Sequence, residues 1–244
     1  MDKRIAMSIA AALGVIGLVA PAAYADGGAG DTEILGVTVN NGSSVIIGTT
    51  YSKSFDVEID AYDDSGLLSA DTDLDGPGAG YASDETICET DYSCTHTFTF
   101  DPRVDLDNSQ AGTWYVGSWV DAIDDDYRWD ERIDSFRLKR ASTLTTNASP
   151  EPVRKGSTLT VTGALKRASW DDYKYHGYTS QPVKLQFRKK GSSTYTTIKT
   201  VKTNSTGALK TTVTASADGY WRWSFAGTTT TSAKTSESDF VDVR

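Results

Sequence analysis

Apolar and polar positions alternate along most of this chain. In "SFDVEIDA", Phe55, Val57, Ile59 and Ala61 share one parity, and Asp56, Glu58 and Asp60 share the other. A period of two marks a strand with one buried and one wet face. "CTHTFTF" sets Phe98 and Phe100 against Thr97 and Thr99. "GTWYVGSWVDA" puts Trp114, Val116, Ser118, Val120 and Ala122 on one face. "DSFRLKR" closes this first block, and a second runs through "TLTVTGAL", "PVKLQFRK", "TYTTIKTVKT", "ALKTTVTA", "GYWRWSFAG" and "DFVDVR". In the second block Trp221, Trp223 and Phe225 share a parity and are expected in the core. Gly-, Asn- and Ser-rich turns such as "KKGSST" and "TNSTGA" separate the runs. No window after the first 25 residues sustains a 3.6-residue period. The pattern predicts an all-β protein of the sandwich type.

The opening residues read differently. Lys3 and Arg4 precede an apolar run from Ile5 to Ala20, and "AYA", Ala23 to Ala25, follows. A basic start, an apolar centre and a small-residue end are the parts of a secretory signal peptide, here residues 1–25. The run is short for a membrane span. The mature chain is therefore expected to be secreted and extracellular, with no membrane span.

Charge divides what remains. Residues 26–140 carry 25 Asp+Glu against 7 Lys+Arg, a net of −18. Residues 141–244 carry 7 against 15, a net of +8. An acidic domain over 26–140 and a basic domain over 141–244 are expected. Opposite charge lets the halves attract one another, within or between chains, at close range only, because exposed charges are screened beyond about 8 Å in physiological salt. The acidic half argues against a nucleic-acid partner.

Cys88 and Cys94 are the only cysteines. In an oxidising compartment an even pair reads as a disulfide. The loop "CETDYSC" is small, so the stabilisation expected from closing it is about 2 kcal/mol.

Two resemblances enter on particular residues. The first half resembles bacterial immunoglobulin-like modules in which strand B ends in A-x-D-x-x-G and strand F in A-x-D. Here these are Ala61-Tyr62-Asp63-Asp64-Ser65-Gly66 and Ala122-Ile123-Asp124. The second half is similar to an immunoglobulin-like repeat of secreted proteins from Gram-positive soil bacteria, in "PVKLQFRKKGSSTYTTIKTVKT", "GALKTTV", "ADGYWRWSFAG" and "DFVDV". The resemblance implies two tandem immunoglobulin-like Greek-key sandwiches and an exported, non-catalytic module. It brings no active site.

That topology gives the acidic runs "DAYDDSG" and "DAIDDD" a meaning. Strands B and F run the same way, so the B–C and F–G loops leave the sandwich at one end. Asp63 and Asp124 continue the inward parity and are the first candidates to hold a cation. Asp64, Asp125 and Asp126 follow, and Asp60 and Asp121 lie on the outward parity. Crowded carboxylates raise each other's pKa. Several carboxylate oxygens on irregular backbone suit calcium, which takes 6–8 oxygen ligands. "DTDLDG", with Asp71, Asp73, Asp75 and Gly76, opens like an EF-hand loop but has Ala82 where the twelfth-position Glu belongs. It reads as an irregular calcium loop or a turn-rich connection.

The aromatic loop "KRASWDDYKYHGYTSQ" holds Trp170, Tyr173, Tyr175 and Tyr178. These rings form either a glycan- or protein-binding patch or a cover folded over the edge or end of the sandwich. The rarity of open apolar patches favours the cover. Tyr115, Trp119, Tyr127 and Trp129 form a second candidate patch, or the contact between the halves. Nothing matches G-x-S-x-G, H-E-x-x-H or a phosphate-cradling glycine loop. His96 is expected on the surface of its strand. The sequence thus points to a secreted non-enzymatic binding or surface-associated structural protein stabilised by calcium, with a protein, glycan or cell-wall partner. The alternative is a secreted carbohydrate-binding or hydrolytic accessory protein.

Overall fold

The computed structural model describes residues 25–244 apart from residues 79 and 91. The expected signal peptide, save Ala25, lies outside the described residues. Two sandwiches follow one another, each with its own buried cluster.

The first contains β1 (Asp26–Ala29), β2 (Glu33–Val39), β3 (Val45–Ile47), β4 (Lys53–Tyr62), β5 (Leu67–Asp75), β6 (Tyr81–Ile87), β7 (Ser93–Phe100), β8 (Gly112–Ala122) and β9 (Tyr127–Arg140). One sheet runs β2-β4-β7. The other runs β1-β9-β8-β5-β6, with β3 parallel to β9. With β4 as strand B and β8 as strand F, this is the immunoglobulin Greek-key order. The inward parities read from the sequence are buried: Phe55, Val57, Ile59 and Ala61 on one sheet, Trp114, Val116, Ser118, Val120 and Ala122 on the other. Phe100 packs against Phe55 at 5.4 Å and against Trp114 at 5.3 Å, joining the sheets. Each ring of this size adds about 1.5–3 kcal/mol by its burial. Cys88 and Cys94 are bonded and tie the end of β6 to the start of β7.

The second contains β10 (Ser142–Leu144), β11 (Asn147–Ser149), β12 (Thr158–Ser169), β13 (Lys174–Gly177), β14 (Pro182–Lys189), β15 (Thr196–Lys202), β16 (Ala208–Thr214), β17 (Gly219–Phe225), β18 (Lys234–Thr235) and β19 (Asp239–Val241). Strand β12 pairs with β10, β11, β13 and β16, and the facing sheet runs β15-β14-β17 with β18 and β19 beyond. Trp221, Trp223 and Phe225 are buried, and Trp223 Nε1 donates to Thr162 O at 3.0 Å.

One residue, Ala141, separates β9 from β10. The joint is built by the aromatic loop. Trp170 is 1% exposed and packs in the core cluster of the first sandwich. Its Nε1 donates to Gly48 O at 2.9 Å, and its backbone N–H donates to Asn108 Oδ1 at 3.0 Å. Asn108 begins a short 3-10 turn, and its backbone N–H donates to Asp171 Oδ1 at 2.9 Å. The Tyr173 hydroxyl donates to Arg103 O at 3.2 Å. Arg140, at the end of β9, is buried in the joint. Burial, then the nearby Arg167 guanidinium, pull its pKa down to about 10, so it keeps its charge at neutral pH.

Candidate functional site

Two places gather chemistry, and both belong to the first sandwich. The first is its end, where the B–C and F–G turns meet. Oxygens of Asp63, Asp124 and Asp126 lie within 4.8 Å of one another, as do those of Asp31, Asp63 and Asp64. Strands β4 and β8 deliver Asp63 and Asp124 there because the two strands run in the same direction. Asp31 arrives by a turn that sequence alone did not reveal. Gly30 sits at φ +80°, and a Cβ there would strike the Asp126 carboxylate. A glycine thus permits both the left-handed turn and the close approach. Asp31 N–H then donates to Asp126 Oδ2 at 3.0 Å.

Asp63 is the anchor of this end. Its Oδ1 accepts from the Ser65 backbone N–H at 2.8 Å and the Ser65 hydroxyl at 2.6 Å, and its Oδ2 accepts from the Thr32 hydroxyl at 2.6 Å. The Ser65 and Thr32 hydroxyls hold its pKa below the ordinary carboxylate value, against the effect of burial. Asp31 shifts the other way, raised by lost solvation and then by Asp64, Asp63 and Asp126. Asp63 Oδ2 retains one lone pair for a further partner. Asp60, Asp121 and Asp125 belong to neither group. Asp121 instead accepts the Trp119 indole N–H at 2.9 Å.

The second place is the outer face of the β9-β8-β5-β6 sheet. The D-x-D-x-D run is not a loop. It lies inside β5, paired to β8 and β6 in regular register. Its spacing is strand alternation: Thr72 and Leu74 are buried, while Asp71, Asp73 and Asp75 face out. The irregular-loop reading of these residues is corrected by that register. Asp71, Asp73 and Asp75 line a groove of about 480 Å³ with Tyr81, Trp119, Trp129, Asp130, Glu131 and Arg132. Gly117 and Ser118 form the floor. A Cβ at Gly117 would lie 2.9 Å from Glu131 O, so a side chain would displace the neighbouring strand at a bulge. Trp119 stacks on Tyr127 at 4.7 Å and on Trp129 at 6.4 Å, planes within 8° and 6°. The Arg132 guanidinium lies 3.4 Å over the Tyr115 ring. The stacked rings use their faces on each other and make a stiff wall. Five carboxylates against one guanidinium set the character of the groove.

Other expectations change. Trp170 is buried in the joint and is not available to a surface ligand. Tyr173 and Tyr175 line the same joint, and Tyr178 packs edge-on to Phe225 at 5.8 Å with Arg167 above it at 4.2 Å. The four rings form no open patch. The contact between the halves lies here and at Arg140, whose N–H donates to Thr230 O at 3.1 Å, and Thr229 of the second half lines a pocket beside Tyr115. His96 is 1% exposed, not on the surface. Its side chain takes the inward parity of β7, and its Nε2 meets Thr72 Oγ1 at 2.9 Å. Thr72 Oγ1 meets Ser118 Oγ at 3.0 Å, and Ser118 donates to Asp71 O at 2.9 Å. Burial lowers the His96 pKa, and Asp84, 3.5 Å from Nδ1, opposes it. This polar thread inside a sandwich core could be suspected only from Thr72, His96 and Ser118 sharing inward parities.

No family model matches the chain, and no curated protein matches it in sequence. Among solved structures it is similar to a tetra-tandem repeat in the extending region of a large adhesion protein, at 12% identity and a TM-score of 0.34. That match covers 86% of this chain and 50% of the other, so the chain spans half the length of that structure. It is also similar to the D0-D1 domain of intimin, at 11% identity and TM-score 0.30, covering 85% of this chain and 98% of that one. The latent PorU of Porphyromonas gingivalis matches at 14% identity and TM-score 0.30, over 87% of this chain and 20% of the other. Likeness of this size carries no function across.

Proposed function

We propose that this chain is a secreted, non-enzymatic binding or surface-associated structural protein of two tandem immunoglobulin-like domains, and that it binds through the acidic groove of the first. The observation that carries this reading is the groove itself: Asp71, Asp73 and Asp75 on the outward face of β5, with Asp130 and Glu131 at the bulge of β9, beside a stacked aromatic wall. Carboxylates on rigid strands favour a cationic partner surface. Both faces of Trp119 are taken up by Tyr127 and Trp129, and five carboxylates line the groove, which favours charge over stacking on a sugar. Calcium at the Asp63–Asp124–Asp126 end would stiffen the same domain without touching the groove.

The test is retention on an immobilised Lys/Arg-rich peptide, with cellulose and chitin as neutral polymers. Retention on the peptide should be lost when Asp73→Asn and Asp75→Asn are combined. It should persist when Asp56→Asn and Glu58→Gln are changed on the opposite sheet. Equal loss in both variants means general charge and overturns the groove reading. Salt-insensitive retention on a neutral polymer would favour the carbohydrate alternative.

A further inference from the structure

The two sandwiches present the same sheet to solvent with opposite charge. In the second, the outward parity of β14 and β17 carries Lys184, Arg188 and Arg222 beside Tyr195 and Tyr220. The inward parity of the same strands carries Val183, Leu185, Trp221, Trp223 and Phe225. The cations are held in place. The Arg222 guanidinium lies 3.6 Å over the Tyr195 ring, and its Nε donates to Gln186 Oε1 at 2.8 Å. The Arg188 guanidinium lies 4.0 Å over Tyr220, and its Nη1 donates to Ser192 O at 2.6 Å. The ion pairs of the second sandwich are His176–Asp172, Lys190–Asp218 and Arg244–Asp242, so no carboxylate pairs with Lys184, Arg188 or Arg222 among the described residues. Cations stacked on tyrosine have already lost side-chain freedom, which lowers the ordering cost of a contact.

The groove of the first sandwich is the complement: five carboxylates on the equivalent sheet face, backed by rings. It is not covered by the chain's own basic half. The joint sits at Gly48, Arg103 and Asn108, and every residue lining the groove belongs to the first sandwich, so the chain's own basic half leaves the groove open.

We infer that the groove's partner is a second copy of this chain, whose Lys184–Arg188–Arg222 face docks on the Asp71–Asp73–Asp75 face. This rests on the binding role of the groove proposed above. The contact is head-to-tail. Each association leaves one acidic and one basic face free, so the product is an open string of chains and not a closed dimer. Electrostatic complementarity of this kind sets orientation and suppresses the wrong pairing, because acidic-on-acidic and basic-on-basic contacts repel. Strings of this architecture suit a surface-associated structural role.

The test is sedimentation velocity and light scattering of the full secreted chain across a concentration series. In about 0.01 M salt, where the screening length is about 30 Å, the average mass should rise with concentration to about twice that of one chain or more. In about 1 M salt, where it is about 3 Å, the mass should fall to that of a single chain. Arg188→Glu with Arg222→Glu should hold the chain monomeric. Asp73→Lys with Asp75→Lys should do the same. An equimolar mixture of these two variants should associate again, because each retains one intact face and the reversed faces also match. The four side chains face solvent, and circular dichroism checks that each variant folds. Where a reversal fails to fold, Asp73→Asn with Asp75→Asn serves, and it too should lower association. A wild-type chain that stays monomeric at low salt overturns the inference, as does a mixture that stays monomeric. Retention on the Lys/Arg-rich peptide alongside a monomeric chain would sink only the self-docking and leave the groove's binding role standing.

Discussion

The two sandwiches place a connection at the same topological point, after strand B, and use it in opposite ways. In the first, β4 ends at Tyr62 and β5 begins at Leu67, so the connection is a tight turn. It caps itself through Asp63 and Ser65 and leaves its carboxylates at a free end of the molecule. In the second, β12 ends at Ser169 and β14 begins only at Pro182. That longer connection forms β13 and drives Trp170 into the neighbouring sandwich. Topology assigns the place. Length and aromatic content decide whether it is an open end or a joint. Both connections carry paired aspartates, and only the surroundings separate Asp63-Asp64 from Asp171-Asp172.

The largest effects should come from the tryptophans. Replacing Trp170 or Trp223 by Ala should each cost about 3–5 kcal/mol, the usual range for a deleted core ring. The two should differ in kind. Trp223→Ala should lower the melt of the second sandwich alone. Trp170→Ala should lower both transitions, because the ring fills the core cluster of the first sandwich while its chain belongs to the second. A second-sandwich transition left unmoved by Trp170→Ala would remove the joint from one side of the comparison.

Reducing Cys88–Cys94 should destabilise the first sandwich by about 2 kcal/mol, as expected for so short a loop. The second sandwich, which has no cysteine, should melt unchanged. Calcium sharpens the other side of the comparison. With an affinity of about 10⁻⁴–10⁻³ M, an ion at the Asp63–Asp124–Asp126 end should add about 1.4 kcal/mol at ten times its dissociation constant. Only the transition of the first sandwich should move. Coincident midpoints in calcium and in chelator would end the calcium proposal.

The smallest effect is a slope. His96 has its pKa lowered in the folded state, chiefly by burial. Below the unfolded value of about 6.5 the unfolded chain therefore binds more protons, and stability falls as pH falls. Stability from this group is complete above that value and declines until the folded pKa is passed. The melting temperature of the first sandwich should follow this course, and His96→Gln should flatten it. A wild-type curve already flat between pH 5 and 7, set against the unfolded value of about 6.5, would show that His96 is not the buried titrating group described here.

Alternation by two determined the strands and their inward residues, because a pleated strand must put every second side chain on the wet face, while the immunoglobulin order was implied by the resemblance at Ala61–Gly66 and Ala122–Asp124. That order placed Asp63 beside Asp124, since parallel courses of strands B and F bring their ends together whatever the loops contain. Charge counting separated the acidic and basic halves. The local pattern misled where it had two readings. "DTDLDG" has the same spacing in a calcium loop and in a strand, and only the register of β5 with β6 and β8 chose between them. The polar–aromatic run around Trp170 reads equally as an open patch or as a wedge. Which it is depends on a surface, at Gly48 and Asn108, more than sixty residues away in the chain. Asp31 joined the acidic end through a glycine turn, and His96, on the inward parity of β7, met Thr72 across the core. Each of these turned on which distant groups came within hydrogen-bonding or van der Waals reach, and that is decided by packing, not by neighbours in sequence.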